Sequence, residues 1–280
     1  MADVPSSHTS MTKTLDHEAG FRFDSVRHVY TLDGKRMYGV TQVLGVISKP
    51  ALIQWAANMA CDYIWENAAK LEVDAEDKTK AFLLEKYAHE MYRFVTKNTL
   101  EEARKAHAKK RDTAAESGTD VHAEIEIFVR TCIKTNNGYP DINIPVLKVA
   151  QTFVAWAISE NIRFLSTEKR LYSKELWVAG TCDLVFEKDG KTYIGDIKTY
   201  KKLWDRVPML QCAGYGLMWE EMHDVVPMGD DEAKDPNAIA GYCVIRIKDG
   251  FEVKWSYDVE GDREAFIAAV KLFKALQNWQ

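Results

Sequence analysis

The chain has 280 residues and a formal net charge of −5; 46% of it is hydrophobic and 28% is charged. Such a composition builds a globular fold with a full core, as one large domain or two small ones, and no apolar run approaches the roughly 18 residues that cross a bilayer. Five widely spaced cysteines (Cys61, Cys132, Cys182, Cys212 and Cys243) contain no C-x-x-C pair, which argues against a zinc ribbon or a disulfide framework and suits a reducing cytoplasm.

Residues 1–20 lack both a hydrophobic signal core and the Arg-rich character of an import peptide, and read as a disordered tail. FRFDSVRHVYTLDGKRMYGVTQVLG (21–45) predicts a hairpin turning at Asp33-Gly34, with Thr41 capping the segment that follows. ALIQWAANMACDYIWENAAK (51–70), opened by Pro50, predicts a helix. Residues 78–116 predict one or two more, the last containing ARKAHAKKR (103–111), with five Lys/Arg and no acid. GTDVHAEIEIFVRTCI (118–133) predicts an amphipathic helix whose apolar stripe is Val121, Ile125, Phe128 and Cys132. A loop at NNGYPDINIP (136–145) leads to a helix over 145–161, a strand over 164–173 and two strands within 180–198. A helix over 208–222, strands over 238–248 and 251–259 around Asp249-Gly250, and a helix over 262–279 complete the chain.

That order implies an α/β fold in which residues 118–280 form a central mixed β-sheet flanked by helices. Residues 21–117 add a hairpin and an N-terminal helical region beside it. The net acidity does not favour a nucleic-acid partner, but the distribution of charge matters more. Seven acids crowd into 220–235, whereas Lys198, Lys201, Lys202 and Arg206 follow the strand pair and form a second basic group after 103–111. Each basic group reads either as a solvated face or as a phosphate-binding surface.

Within GTCDLVFEKDGKTYIGDIKTY (180–200), Asp189-Gly190 is a strong signal for a two-residue type I′ turn. That turn sets Lys188 opposite Lys191, Val185 opposite Ile194 and Asp183 opposite Asp196. Lys198 shares the face of Asp196, while Leu184, Phe186, Tyr193 and Ile197 take the other face. Both faces are largely apolar, as in an inner strand pair. Two neighbouring carboxylates there repel each other unless one is protonated or a cation lies between them, and hard divalent ions such as Mg²⁺ or Mn²⁺ suit that position. The alternative is a surface hairpin with solvated charges.

A carboxylate on one strand followed by D-x-K on the next, here Asp183 and Asp196-Ile197-Lys198, resembles the active-site pattern of the PD-(D/E)XK nuclease superfamily. Three further stretches resemble its RecB-type branch. GTDVH puts His122 on the first core helix, where that branch carries a metal-binding histidine. STEKRLYSKELWVAGTCDLVF resembles the family's acidic strand, with Glu168, followed by an A-G-x-x-D strand. QCAGY places Gln211 and Tyr215 four residues apart on the helix after D-x-K, like the Q-x-x-x-Y motif. The four stretches occur in order over residues 118–216, and HVYTLDGKRMYGVTQVL is similar to the front end of phage exonucleases and of the mitochondrial genome maintenance exonuclease of this group. Cys182 replaces the motif's proline, as is usual in the RecB branch. The clustered cysteines of the iron–sulfur members are missing, so no cluster is implied.

The resemblance implies a restriction-endonuclease-like core and metal-dependent hydrolysis of DNA phosphodiesters. His122, Asp183, Asp196 and the Ile197 carbonyl would hold Mg²⁺ or Mn²⁺, as one ion or two. Lys198 would orient the attacking water rather than deprotonate it, because neighbouring carboxylates hold its pKa up. Gln211 and Tyr215 would position the scissile strand. Glu126, one turn beyond His122, and Glu168 are supporting candidates that read equally as ordinary surface charges. Arg104, Lys105, Lys109, Lys110, Arg111, Lys201, Lys202 and Arg206 would bind phosphates without sequence preference, with Trp204 as a stacking aromatic. The expected activity is that of an exonuclease on single-stranded DNA or DNA ends in phage or bacterial DNA metabolism. Such a protein works in the cytoplasm of a bacterial cell or phage-infected host, with a phage or host recombination protein as a further partner and no membrane. The alternatives are a structure-specific endonuclease and a non-catalytic DNA-binding or recombination-accessory protein of the same fold.

Overall fold

The computed structural model describes residues 20–47, 50–67, 69–70, 93–94, 97–140, 148–199, 206–225, 235–248 and 250–277. The tail expected before residue 20, most of the segment expected to be helical over 78–96, Lys201, Lys202, Trp204, Asp249 and the side chain of Arg111 lie outside what is described.

Strands β1 (Phe21–Asp24), β2 (Val29–Leu32) and β3 (Lys35–Arg36) form an antiparallel meander, one strand more than the expected hairpin. Its second turn falls at Asp33-Gly34, where φ is 50° and 76°, the positive values that a type I′ turn demands. Strand β4 (Tyr38–Gly39) leaves the meander and joins the main sheet, followed at once by the short helix α1 (Val40–Val43). Thr41 therefore lies inside α1 and does not cap it; Gly39 precedes the helix and donates its N–H to Gln42 Oε1 at 3.4 Å.

Helix α2 (Pro50–Asn67) begins at the proline, as the sequence indicates. Beyond it, β5 (Ala69–Lys70) and β6 (Arg93–Phe94) pair as a two-stranded ribbon. Lys97–Lys134 then form one 38-residue helix, α3. The basic helix and the amphipathic helix expected from the sequence are thus continuous, and the boundary drawn between residues 117 and 118 falls inside α3. A glycine in a helix interior costs about 1 kcal/mol, and α3 carries Gly118 and its cap-type neighbours Ser117, Thr119 and Asp120 without a break. Helix α3 does two jobs. Val121, Ile125, Phe128, Val129 and Cys132 bury the expected stripe in the main core, while nearer its start Tyr63 of α2 lies close enough to Lys109 to act on its charge.

After helix α4 (Lys148–Ser159) come β7 (Arg163–Ser173), β8 (Val178–Lys188) and β9 (Lys191–Lys198), an antiparallel run. Helix α5 (Val207–Met222) crosses over to β10 (Ile239–Ile247), which is parallel to β9; β11 (Phe251–Ser256) pairs antiparallel with β10, and α6 (Val259–Gln277) closes the fold. The mixed six-stranded sheet runs β11-β10-β9-β8-β4, with β7 on the far side of β8. Helices cover both faces. On one, α1, α5 and α6 pack over Cys182, Val185, Ile194 and Val244; on the other, α3 and α4 pack over Leu184, Phe186, Ile197 and Ile245. The fold is therefore α/β, with a mixed sheet between helical layers. Among the described residues no helix is long and apolar enough to cross a membrane.

Candidate functional site

The Asp189-Gly190 turn has φ values of 53° and 71°. The ladder it sets runs from Lys188 opposite Lys191 to Leu184 opposite Gly195, in the register expected from the turn. There it stops, one step short of Asp183 and Asp196. Strand β9 continues alongside β10 as far as Lys198 opposite Arg246, while the same edge of β8 is next paired by β4, at Val178–Ala179. Gly180–Asp183 consequently face a fork between β9 and β4. Asp183 Oδ2 accepts the Ile197 N–H at 2.8 Å and bridges the mouth of the fork with a side chain where the backbone ladder ends.

The opposite edge of β8 is irregular at the same level. Cys182 and Val185 face one core and Leu184 the other, so the alternation slips at Asp183. Across the strand, Glu168 adopts a positive φ of 48°, and the Thr167 hydroxyl donates to the Asp183 carbonyl at 2.9 Å. A non-glycine residue in the left-handed region is uncommon in a strand and stores strain. Here it brings the Glu168 carboxylate to Asp183.

Asp196 is fully buried. Its Oδ2 lies 2.5 Å from Lys198 Nζ, and Oδ1 has no hydrogen-bond partner among the described residues. A carboxylate oxygen left in that state is costly. Burial pushes the Asp196 carboxyl up to about 6, against the pull of Lys198. The Lys198 ammonium also donates to Gln211 Oε1 at 3.3 Å, and Gln211 Nε2 donates to the Tyr215 hydroxyl at 2.9 Å. Two turns of α5 thus hold the far side of the lysine. The Tyr215 ring in turn lies against Gly180, where an added Cβ would stand 2.7 Å from Cε1, so only glycine admits the ring.

From the other face, α3 delivers His122. Its Nδ1 is 3.8 Å from Asp183 Oδ2, and the Ile197 backbone bonds the imidazole. Burial pushes the His122 pKa down, favouring the neutral ring that binds metals. His122, Glu168 and Asp183 each offer one donor atom, all within 4.8 Å of one another. Burial, reinforced by the charge of Asp183, pushes Glu168 up to about 8; burial also raises Asp183, with Lys198 and the Ile197 N–H opposing.

The structure thus gathers His122, Asp183, Asp196, Lys198, Gln211 and Tyr215 at one fork. The donor group differs from the expected ligand set. Glu168 joins His122 and Asp183, whereas Asp196 is engaged by Lys198 and the Ile197 backbone turns to His122. Glu126 stays outside the group, held by Arg130 at 2.7 Å. In the basic stretch, Lys105 and Lys109 pair with Glu102 at 3.4 and 2.5 Å, while Arg104 and Lys110 are exposed. Arg206 binds the buried Asp262 at 2.7 Å and ties the start of α5 to α6. One contact had no sequence signal: the Tyr30 hydroxyl meets Thr181 Oγ1 at 2.8 Å and docks the meander on the fork's edge. No protein-family model matches this chain, and no curated protein matches it.

Proposed function

We propose that the protein is a divalent-metal-dependent DNA nuclease with a restriction-endonuclease-like core, of the RecB-type branch of the PD-(D/E)XK superfamily. The observation that carries this reading is the fork between β9 and β4 on the edge of β8, where a three-donor group, His122, Glu168 and Asp183, lies beside a lysine paired with a buried aspartate. The donors fit a hard cation: two carboxylates raised by burial and one imidazole held neutral, next to a buried Asp196 Oδ1 with no partner among the described residues. Bound there, Mg²⁺ or Mn²⁺ supplies Lewis-acid activation of a phosphate and of a water.

The remaining work falls to the side chains. Asp196 Oδ2, at 2.5 Å, fixes the position of the Lys198 ammonium. Lys198 then orients the attacking water by donation and lends positive charge to the phosphate as negative charge develops on it. Gln211 fixes the ammonium from behind, and Tyr215 fixes Gln211. An intact Asp183, Asp196 and Lys198 set favours an enzyme over a non-catalytic accessory protein. Exonucleolytic action on single strands or ends is the preferred mode, because α2 and the basic half of α3 form an added helical layer that leads into the site through His122.

The test is incubation of end-labelled single- and double-stranded DNA with the protein and Mg²⁺ or Mn²⁺, with a chelator as control. Metal-dependent shortening of the label supports the reading; intact DNA with both ions and both forms refutes it.

A further inference from the structure

A cavity of about 130 Å³ lies beside the fork, between the β4–α1 segment and the start of β8. The buried Tyr30, Met37, Val40, Gly180 and Tyr215 build its inner wall, and the exposed His28, Arg36 and Gln42 stand at its rim. It is much smaller than the roughly 300 Å³ or more of a pocket for a drug-sized ligand, so its occupant is a single ring or group. Both phenol hydroxyls are already engaged, Tyr30 by Thr181 at 2.8 Å and Tyr215 by Gln211 at 2.9 Å. Neither hydroxyl is therefore left over for a ligand, and what the two rings add to the wall is carbon. A phosphate would find its charged partners, Arg36 and His28, only at the rim and none among the buried walls. A flat ring with apolar faces and a polar edge fits them, because at the rim the Gln42 amide nitrogen offers a donor and its oxygen, which takes the Gly39 N–H at 3.4 Å, keeps a second lone pair.

We infer that this cavity receives one unpaired nucleobase of the bound strand, next to the phosphate at the fork; the inference rests on the nuclease reading above. Two contacts join the cavity to the fork. Tyr215 is both its wall and the support of Gln211 and hence of Lys198. Tyr30 is both its wall and the partner of Thr181, two residues before Asp183. A seated base therefore presses on the residues that position Lys198, and a base held in a duplex cannot reach it. Beside the rim, the Arg170 guanidinium lies 4.9 Å over the Phe23 ring, which His28 meets edge-on at 5.2 Å. That surface offers stacking and positive charge to the flanking nucleotide.

The experiment measures binding of the full chain to labelled single-stranded oligonucleotides, with Ca²⁺ replacing Mg²⁺, while one abasic residue is moved along the strand. Loss of a stacked base is expected to weaken binding about tenfold at one position and little elsewhere. Thr41→Trp, at an exposed residue of the cavity lining, is expected to weaken the intact strand by a similar factor and to erase the abasic penalty. Gln42→Ala, also at an exposed position, is expected to keep the fold and alter the preference among the four bases. An intact strand that binds well with no abasic penalty at any position overturns the inference and spares the nuclease reading. The same holds if Thr41→Trp folds and leaves the penalty unchanged. If no DNA strand binds and none is cut with Mg²⁺ or Mn²⁺, the nuclease reading falls and this inference falls with it.

Discussion

Lys198 sits 2.5 Å from Asp196 and 3.3 Å from Gln211 Oε1, with about a fifth of its side chain exposed. Its charge is therefore placed but not sealed away. Lys198→Ala is expected to lower kcat by about 10²–10³-fold, the usual loss when one stabilising donor is removed, with Mn²⁺ affinity largely retained in a metal titration. Lys198→Arg is expected to restore little, because a planar guanidinium cannot take the place of a compact ammonium between Asp196 and Gln211. Glu168 gives a pH signature. Its folded-state pKa, about 8, exceeds its ordinary value of 4.5, so the folded chain binds more protons than the unfolded chain across that interval. The contribution to stability is full below about pH 4.5 and is lost as pH rises towards 8. In chelator, Tm is expected to fall over that window, Glu168→Gln to flatten the fall, and Mn²⁺ to oppose it. Much of the candidate site was legible at this scale, because a two-residue turn and a helical period fix which face carries Asp196, Lys198, Gln211 and Tyr215, whereas the face of Asp183 is reset where the alternation of β8 slips. The place of Glu168 was not, because it depends on a positive φ inside a strand, which no pattern of side chains announces.

At the scale of elements, the site exists because β8 changes partner along one edge, from β9 to β4. The hairpin and its register follow from Asp189-Gly190. The fork does not, since it requires a two-residue strand from the front of the chain to pair with a strand 140 positions away in sequence, Tyr38 with Val178. Short strands of that kind carry almost no period to read. Gly180 is where the partners meet. An alanine there would bring Cβ to 2.7 Å from Tyr215 Cε1 and 3.2 Å from Val40 Cγ2. Gly180→Ala is expected to cost about 1–3 kcal/mol by overpacking, visible as a lowered Tm. It is also expected to reduce cleavage further than the stability loss explains, because Tyr215 must move and takes Gln211 with it. Wild-type turnover in a folded Gly180→Ala protein would contradict the role given to Tyr215. The break expected before residue 118 was misplaced because Gly118, with the cap-type residues Ser117, Thr119 and Asp120 beside it, carries the local signal of a helix boundary, yet α3 runs through it.

Taken whole, the molecule is a mixed sheet between two helical layers, extended by α2 and the first half of α3, with Arg104 and Lys110 exposed on that extension. The periodic strands and helices after residue 118 made the layers readable, whereas the continuity of α3 from the extension into the core was not. A single helix that joins the two suits the proposed passage of a strand past basic residues towards His122. Linear single-stranded DNA is accordingly expected to be degraded to mononucleotides or short oligonucleotides while a circle of the same sequence is spared; equal loss of both would refute threading and leave hydrolysis standing. The most direct measurement compares wild-type protein with Asp183→Asn on labelled linear single-stranded DNA in Mn²⁺. The asparagine still accepts the Ile197 N–H that Asp183 Oδ2 now receives at 2.8 Å, so fold and DNA binding are expected to persist. The expected result is metal-dependent cleavage by the wild type and none by the variant. Equal turnover by the two proteins, or no cleavage by the wild type, would contradict a metal-dependent nuclease centred on this fork.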